Sequence, residues 1–179
     1  VEICSPIMEN IQENISNDKF RVYLTDDLKG VGYGGILKNI YAIGAGLCDG
    51  LKLGDNAKSA YITRALNEMV SIGKSLGGRK ETFYGLSGFG DLIATCFGEC
   101  SRNRSFGESL GKGVQPVDIL NGQKTVVEGF FAVECLYQIA RRDHLETPIL
   151  DELHAIIYDN KSPNLALNNL MERNLKTEF

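Results

Sequence analysis

The chain has 179 residues, 43% of them apolar, enough for one ordinary domain and part of a second with a sizeable core. Nineteen basic against 23 acidic residues leave a net charge of −4, which argues against a broad nucleic-acid footprint or a polybasic membrane surface. Any anion site must be local, and no apolar run approaches the roughly 20 residues that a membrane span needs.

The five cysteines, at positions 4, 48, 96, 100 and 135, form no CxxC pair and are odd in number, as expected of free thiols in a reducing, cytoplasmic setting. Cys96 and Cys100 have the spacing of one helix face, but with only His144 and His154 elsewhere they make a poor zinc set, and no metal is expected.

Val1 to Cys4 reads as a short strand, and Ser5-Pro6 as an N-cap with proline at the first helical position. Ile7, Ile11 and Ile15 repeat at helical spacing, and Phe20 to Leu24 reads as a second strand. Strand, helix, strand over the first 29 residues is one βαβ unit, the building block of a doubly wound sheet. One such unit cannot cover its own apolar faces. With Val1 in place of Met, it is expected to be the end of a preceding domain, the chain being cut from something longer.

From Gly30 to residue 179 the pattern is all-α. Ile36, Ile40, Ile43 and Leu47 form one stripe of a long helix ending near Asp49-Gly50, and Ile62, Leu66, Met69, Ile72 and Leu76 mark a second, from Asp55 or Asn56 to Gly77-Gly78. Short helices are expected around 89–97 and 102–110, and a long one over Val127 to Arg141. Thr147-Pro148 and Ser162-Pro163 each open a further helix.

Gly30-Val-Gly-Tyr-Gly-Gly35 matches G-x-G-x-x-G, but Thr25 to Lys29 separate it from the preceding strand, which favours helix packing over a pyrophosphate cradle. Lys38 is more informative. It is the only charged residue between Lys29 and Asp49, about 200° from Ile36 on a helical projection, and shares its side with Gly34, Ala42 and Ala45. A solvated face normally carries several charges, so a lone lysine among small residues points to a cleft. Desolvation there favours the neutral amine, which suits proton transfer. Asp91, in Gly88-Phe-Gly-Asp-Leu-Ile93, taken alone reads as an N-cap. Ser101-Arg-Asn-Arg104 offers a hydroxyl, two guanidinium groups and an amide at a helix N-terminus, a set suited to a phosphate and equally to a solvated basic turn.

With these elements placed, the sequence resembles the C-terminal half of NAD(P)-dependent glycerol-3-phosphate dehydrogenase of the bacterial type. Leu37-Lys-Asn39, Ala45-Gly-Leu-Cys-Asp-Gly50, Leu53-Gly-Asp-Asn56, Gly88 to Leu92 with Thr95-Cys96, Ser101 to Arg104 and Val126-Val-Glu-Gly129 occur in the family's order. The match runs from about Phe20 to about Pro148 and fades to both ends, and Lys52 stands where the family usually has a glycine.

The resemblance implies an all-α substrate domain, residues 30–179, preceded by the tail of a Rossmann-type NAD(P)-binding domain, residues 1–29. It implies that Lys38 is the catalytic acid/base and that Lys38, Asp91, Ser101, Arg102 and Asn103 bind glycerol 3-phosphate. Arg102, Val126 and Glu128 would touch the cofactor, NAD or NADP. The implied partners are dihydroxyacetone phosphate or sn-glycerol 3-phosphate and the chain's own N-terminal domain, with a homodimer left open. Without a complete cofactor domain these residues alone are expected to be catalytically silent. A hydroxyacid or sugar-acid dehydrogenase and a non-catalytic helical dimerisation domain are the alternatives.

Overall fold

The computed structural model describes residues 6–122 and 125–172. Its α-helices in chain order are α1 (Pro6–Ile15), α2 (Leu28–Gly50), α3 (Asp55–Ser75), α4 (Lys80–Tyr84), α5 (Asp91–Phe97), α6 (Arg102–Gly111), α7 (Pro116–Gly122), α8 (Glu128–Arg142), α9 (Pro148–Tyr158) and α10 (Pro163–Met171). A π-helical turn over Leu86–Gly90 leads directly into α5. The all-α body expected from the sequence is present; α4 and α7 are too short to show a periodicity.

The βαβ remnant is not. Among the described residues there is no strand, and the expected strand over Val1 to Cys4 lies outside them. Phe20 to Leu24 is irregular, because a strand exists only beside another and none is available here to complete a ladder. Side chains satisfy its backbone instead: Val22 donates its N–H to Ser16 Oγ at 3.1 Å and accepts from Gln12 Nε2 at 2.8 Å. The helix between the two expected strands is present as α1, where no residue is buried and Ile7, Ile11 and Ile15 are exposed.

The core is built around α2, which is apolar or small almost all round and packs against α3, α5, α6 and α8. Ile40, Ile43 and Leu47 of the expected stripe are buried; Ile36 is exposed. The opposite, glycine- and alanine-rich side is buried too: Ala42 and Ala45 are inaccessible, and a Cβ at Gly46 or Gly107 would overlap the Arg104 or Ile43 carbonyl oxygen. The backbones of α2 and α6 therefore touch. The string Gly30 to Gly35 lies inside the first turns of α2 and forms no phosphate loop.

Buried polar groups fasten the helices to one another. Asp27 caps α2 through the Gly30 N–H at 2.9 Å and also accepts from the Arg79 N–H at 2.8 Å and Thr82 Oγ1 at 2.6 Å. Lys58 and Arg104, from α3 and α6, both bind Asp49 at 2.8 and 2.7 Å. Glu68 of α3 caps α9: its carboxylate accepts the Ile149 and Leu150 N–H groups, both at 2.9 Å, and the Tyr41 hydroxyl at 3.2 Å. Thr147 does not take the capping role its position predicts. Its hydroxyl donates to Asp151 at 3.0 Å and accepts from Arg141 at 2.8 Å, while Ser162 does cap α10 through the Leu165 N–H.

Cys48 and Cys96 are buried, and burial pushes their thiols up to about 11 and about 12; Cys100 and Cys135 are exposed. Lys52, where the family usually has glycine, adopts a left-handed φ of 57° between α2 and α3.

Candidate active site

The site begins with a glycine. Gly34 lies one helical turn before Lys38 on the same face of α2, and a Cβ there would overlap the Ser87 carbonyl oxygen. The π-helical turn therefore sits directly on α2, and the residue that follows it, Asp91, reaches back over Lys38. Lys38 Nζ donates to Asp91 Oδ2 at 2.5 Å, with the two side chains 23% and 38% exposed, so solvent or a ligand can reach the pair. π-helical turns of this kind often occur at functional positions, where the widened backbone re-aims a side chain.

Asp91 does not cap α5, the role it takes when read alone; Gly90 holds the cap position. Thr95, one turn on, donates to the Asp91 carbonyl at 2.6 Å and lies 3.4 Å from its Oδ1.

The second half of the site joins the N-termini of α6 and α8. Ser101 caps α6 by accepting the Arg104 N–H at 3.3 Å. Asn103 is buried, and its Oδ1 accepts the Gly129 N–H at 2.8 Å. A Cβ at Gly129 would press on Asn103 Oδ1 and on the carbonyl oxygen of Asn39, the residue after Lys38. Asn103, Gly129 and the lysine helix thus meet at one point. Outside it, Arg102 binds Glu128 at 2.5 Å across the two helix starts, both side chains nearly half exposed. Val126 is exposed just before α8.

The structure thus joins Lys38 to Asp91 and Arg102 to Glu128, and links Asn103 to α2 through Gly129. It separates the two arginines of the Ser101–Arg104 run, since Arg104 turns inward to Asp49. The sequence placed Gly34 on the face of Lys38 and Gly129 in the Val126–Gly129 run, but gave neither its contact, Ser87 for Gly34 and Asn39 with Asn103 for Gly129. Chemically, the site offers an ammonium able to give or take a proton, a carboxylate that holds it, and a forked cation beside the positive ends of α6 and α8. No group of three or more His, Cys, Asp or Glu residues among the described ones could hold a metal ion.

The chain has many relatives among known proteins. The family model described as NAD-dependent glycerol-3-phosphate dehydrogenase C-terminus matches residues 27–168, extending the resemblance beyond Pro148. Relatives named glycerol-3-phosphate dehydrogenase [NAD(P)+] include that of Syntrophotalea carbinolica, 47% identical over 97% of this chain and 52% of its own length. That of Solidesulfovibrio magneticus is 46% identical over 95% and 52%. The crystal structure of glycerol-3-phosphate dehydrogenase from Coxiella burnetii superposes with a TM-score of 0.87 at 39% identity, covering 94% of this chain and 52% of that one. The chain spans about half the length of the curated relatives it matches. With the helical body and these matches in agreement, the chain belongs to the family of glycerol-3-phosphate dehydrogenase C-terminal domains.

Proposed function

We propose that the chain supplies the substrate-binding and proton-transfer half of an NAD(P)-dependent glycerol-3-phosphate dehydrogenase, interconverting dihydroxyacetone phosphate and sn-glycerol 3-phosphate. The observation that carries this reading is the accessible Lys38–Asp91 pair, linked through Asn39, Gly129 and Asn103 to the helix that presents Arg102.

The reduced nicotinamide, when bound, supplies the hydride to the carbonyl carbon. Lys38 polarises the carbonyl as a cation and gives its proton to the oxygen that becomes the hydroxyl; in the reverse direction it is the base. Asp91 holds the ammonium in place between turnovers. Arg102, with Ser101 and Asn103 at the start of α6, binds the phosphate, so that the carbonyl is positioned beside Lys38. Arg102, Val126 and Glu128, all at the exposed edge, are the residues placed to meet the cofactor.

The remaining contact is with a nucleotide-binding portion that adjoins the segment before Asp27, the cap of α2. The exposed Ile7, Ile11 and Ile15 of α1, with Phe20 and Tyr23, give it an apolar face on which to rest. The test is Lys38→Ala in a full-length protein carrying this chain: kcat is expected to fall by about 10² to 10⁴. Retained turnover would remove the mechanism. A preference for 3-hydroxy acids over glycerol 3-phosphate would replace the substrate.

A further inference from the structure

Arg102–Glu128 and Asn103–Gly129 are two consecutive rungs between the starts of α6 and α8, and they differ in kind. The inner rung is permanent: Asn103 is buried, and a side chain at position 129 would collide with it. The outer rung is a 2.5 Å ion pair between two side chains 46% and 48% exposed. The group that faces the Arg102 guanidinium is therefore a carboxylate, an anion with the same forked acceptor geometry as a phosphate. No polar contact beyond Arg102 ties Glu128 down among the described residues.

We propose that Glu128 is an internal competitor for the anion site, occupying Arg102 until a ligand phosphate displaces it and thereby setting the affinity of that site. The inference rests on the reading of Arg102 as the phosphate-binding residue. The exchange is physically easy. An exposed ion pair is worth at most about the free energy that changes an equilibrium fivefold, whereas a phosphate brings more charge and a third oxygen. The displaced carboxylate is not stranded either. It stands at the first position of α8, whose N-cap residue Val127 supplies no side-chain hydrogen bond, and there the helix dipole favours a negative charge. Because the inner rung stays closed, opening the outer one leaves the two helices in place.

The competitor model makes a quantitative statement: the apparent dissociation constant of any anion at Arg102 is multiplied by the same factor, one plus the strength of the internal pair. Inorganic phosphate is the probe, titrated into the 179-residue chain and followed by NMR, with Glu128→Gln, Arg102→Ala and the double variant in parallel. Glu128→Gln is expected to tighten phosphate roughly two- to fivefold. In the Arg102→Ala background the same change is expected to do nothing. If phosphate affinity is lost with Arg102→Ala but unchanged or weakened by Glu128→Gln, the competitor is overturned and the anion site stands. An equal tightening in the Arg102→Ala background would show a general charge effect and overturns it as well. If Arg102→Ala and Glu128→Gln both leave phosphate binding unaltered, the assignment of Arg102 falls, and the competitor with it.

Discussion

Replacing Glu68 by Gln removes a titrating group from the contact between α3 and α9 while keeping its size. The carboxylate is buried, and desolvation pushes it up to about 7 from an ordinary 4.5, although the Ile149 and Leu150 N–H groups and the Tyr41 hydroxyl all favour its charged form. The nearby Asp151 carboxylate adds to the upward shift. The folded state thus holds this proton more tightly than the unfolded one. The stabilisation from the raised value is fully present below pH 4.5 and is lost as pH rises through about 7. Between pH 5 and pH 8 the wild-type chain is therefore expected to lose about 2–3 kcal/mol relative to Glu68→Gln, following from 1.36 kcal/mol per pKa unit.

Urea unfolding followed by far-ultraviolet circular dichroism, for both chains at pH 5, 6, 7 and 8, reads this difference directly. Asp27 does not interfere. The Thr82, Arg79 and Gly30 donors outweigh its burial and lower its pKa, so its contribution is present above its unfolded value of 3.8 and is lost only as pH falls through the lower folded value. A wild-type-minus-variant difference constant within about 0.5 kcal/mol from pH 5 to pH 8 would refute the reasoning.

Two further changes probe the frame. Lys52→Gly relieves a left-handed backbone at φ 57° and is expected to raise stability by about 0.5–1 kcal/mol, read as a shift in the urea midpoint; a lower midpoint would mean that the lysine side chain stabilises the turn. Asp49→Ala leaves Lys58, which is 4% exposed, and the partly buried Arg104 without their shared carboxylate, with an expected loss of about 3–5 kcal/mol by the same assay. A loss under about 1 kcal/mol would show that solvent replaces the carboxylate readily.

The long helices were legible because their apolar residues repeat over many turns: α2, α3 and α8 lie close to where the sequence places them, and α9 and α10 open where Thr147-Pro148 and Ser162-Pro163 place their starts. The βαβ unit was not, because alternation in Phe20 to Leu24 reports only a preference for extended backbone, whereas a strand is a tertiary object that needs a neighbour. The caps show the same limit. Ser162 caps α10 as its local sequence predicts, but α9 is capped by Glu68, a residue on another helix that no local pattern connects to it.

At Lys38 the sequence signal and the local structure share one cause. The lone charge on a face of glycine and alanine pointed to a cleft beside small residues that permit another surface to approach closely. In the structure they are contact surfaces: Gly34 carries the π-helical turn, and Ala42 and Ala45 are inaccessible. Lys38 lies between these covered positions with its side chain 23% exposed, one turn from the glycine that lets Asp91 approach. A larger residue at position 34 would lift the turn and carry Asp91 away from the ammonium. The same small side chains that made the lysine conspicuous in the sequence also bring it its partner. Only the family resemblance put Asp91 in one site with Lys38, because no periodicity relates two residues 53 positions apart.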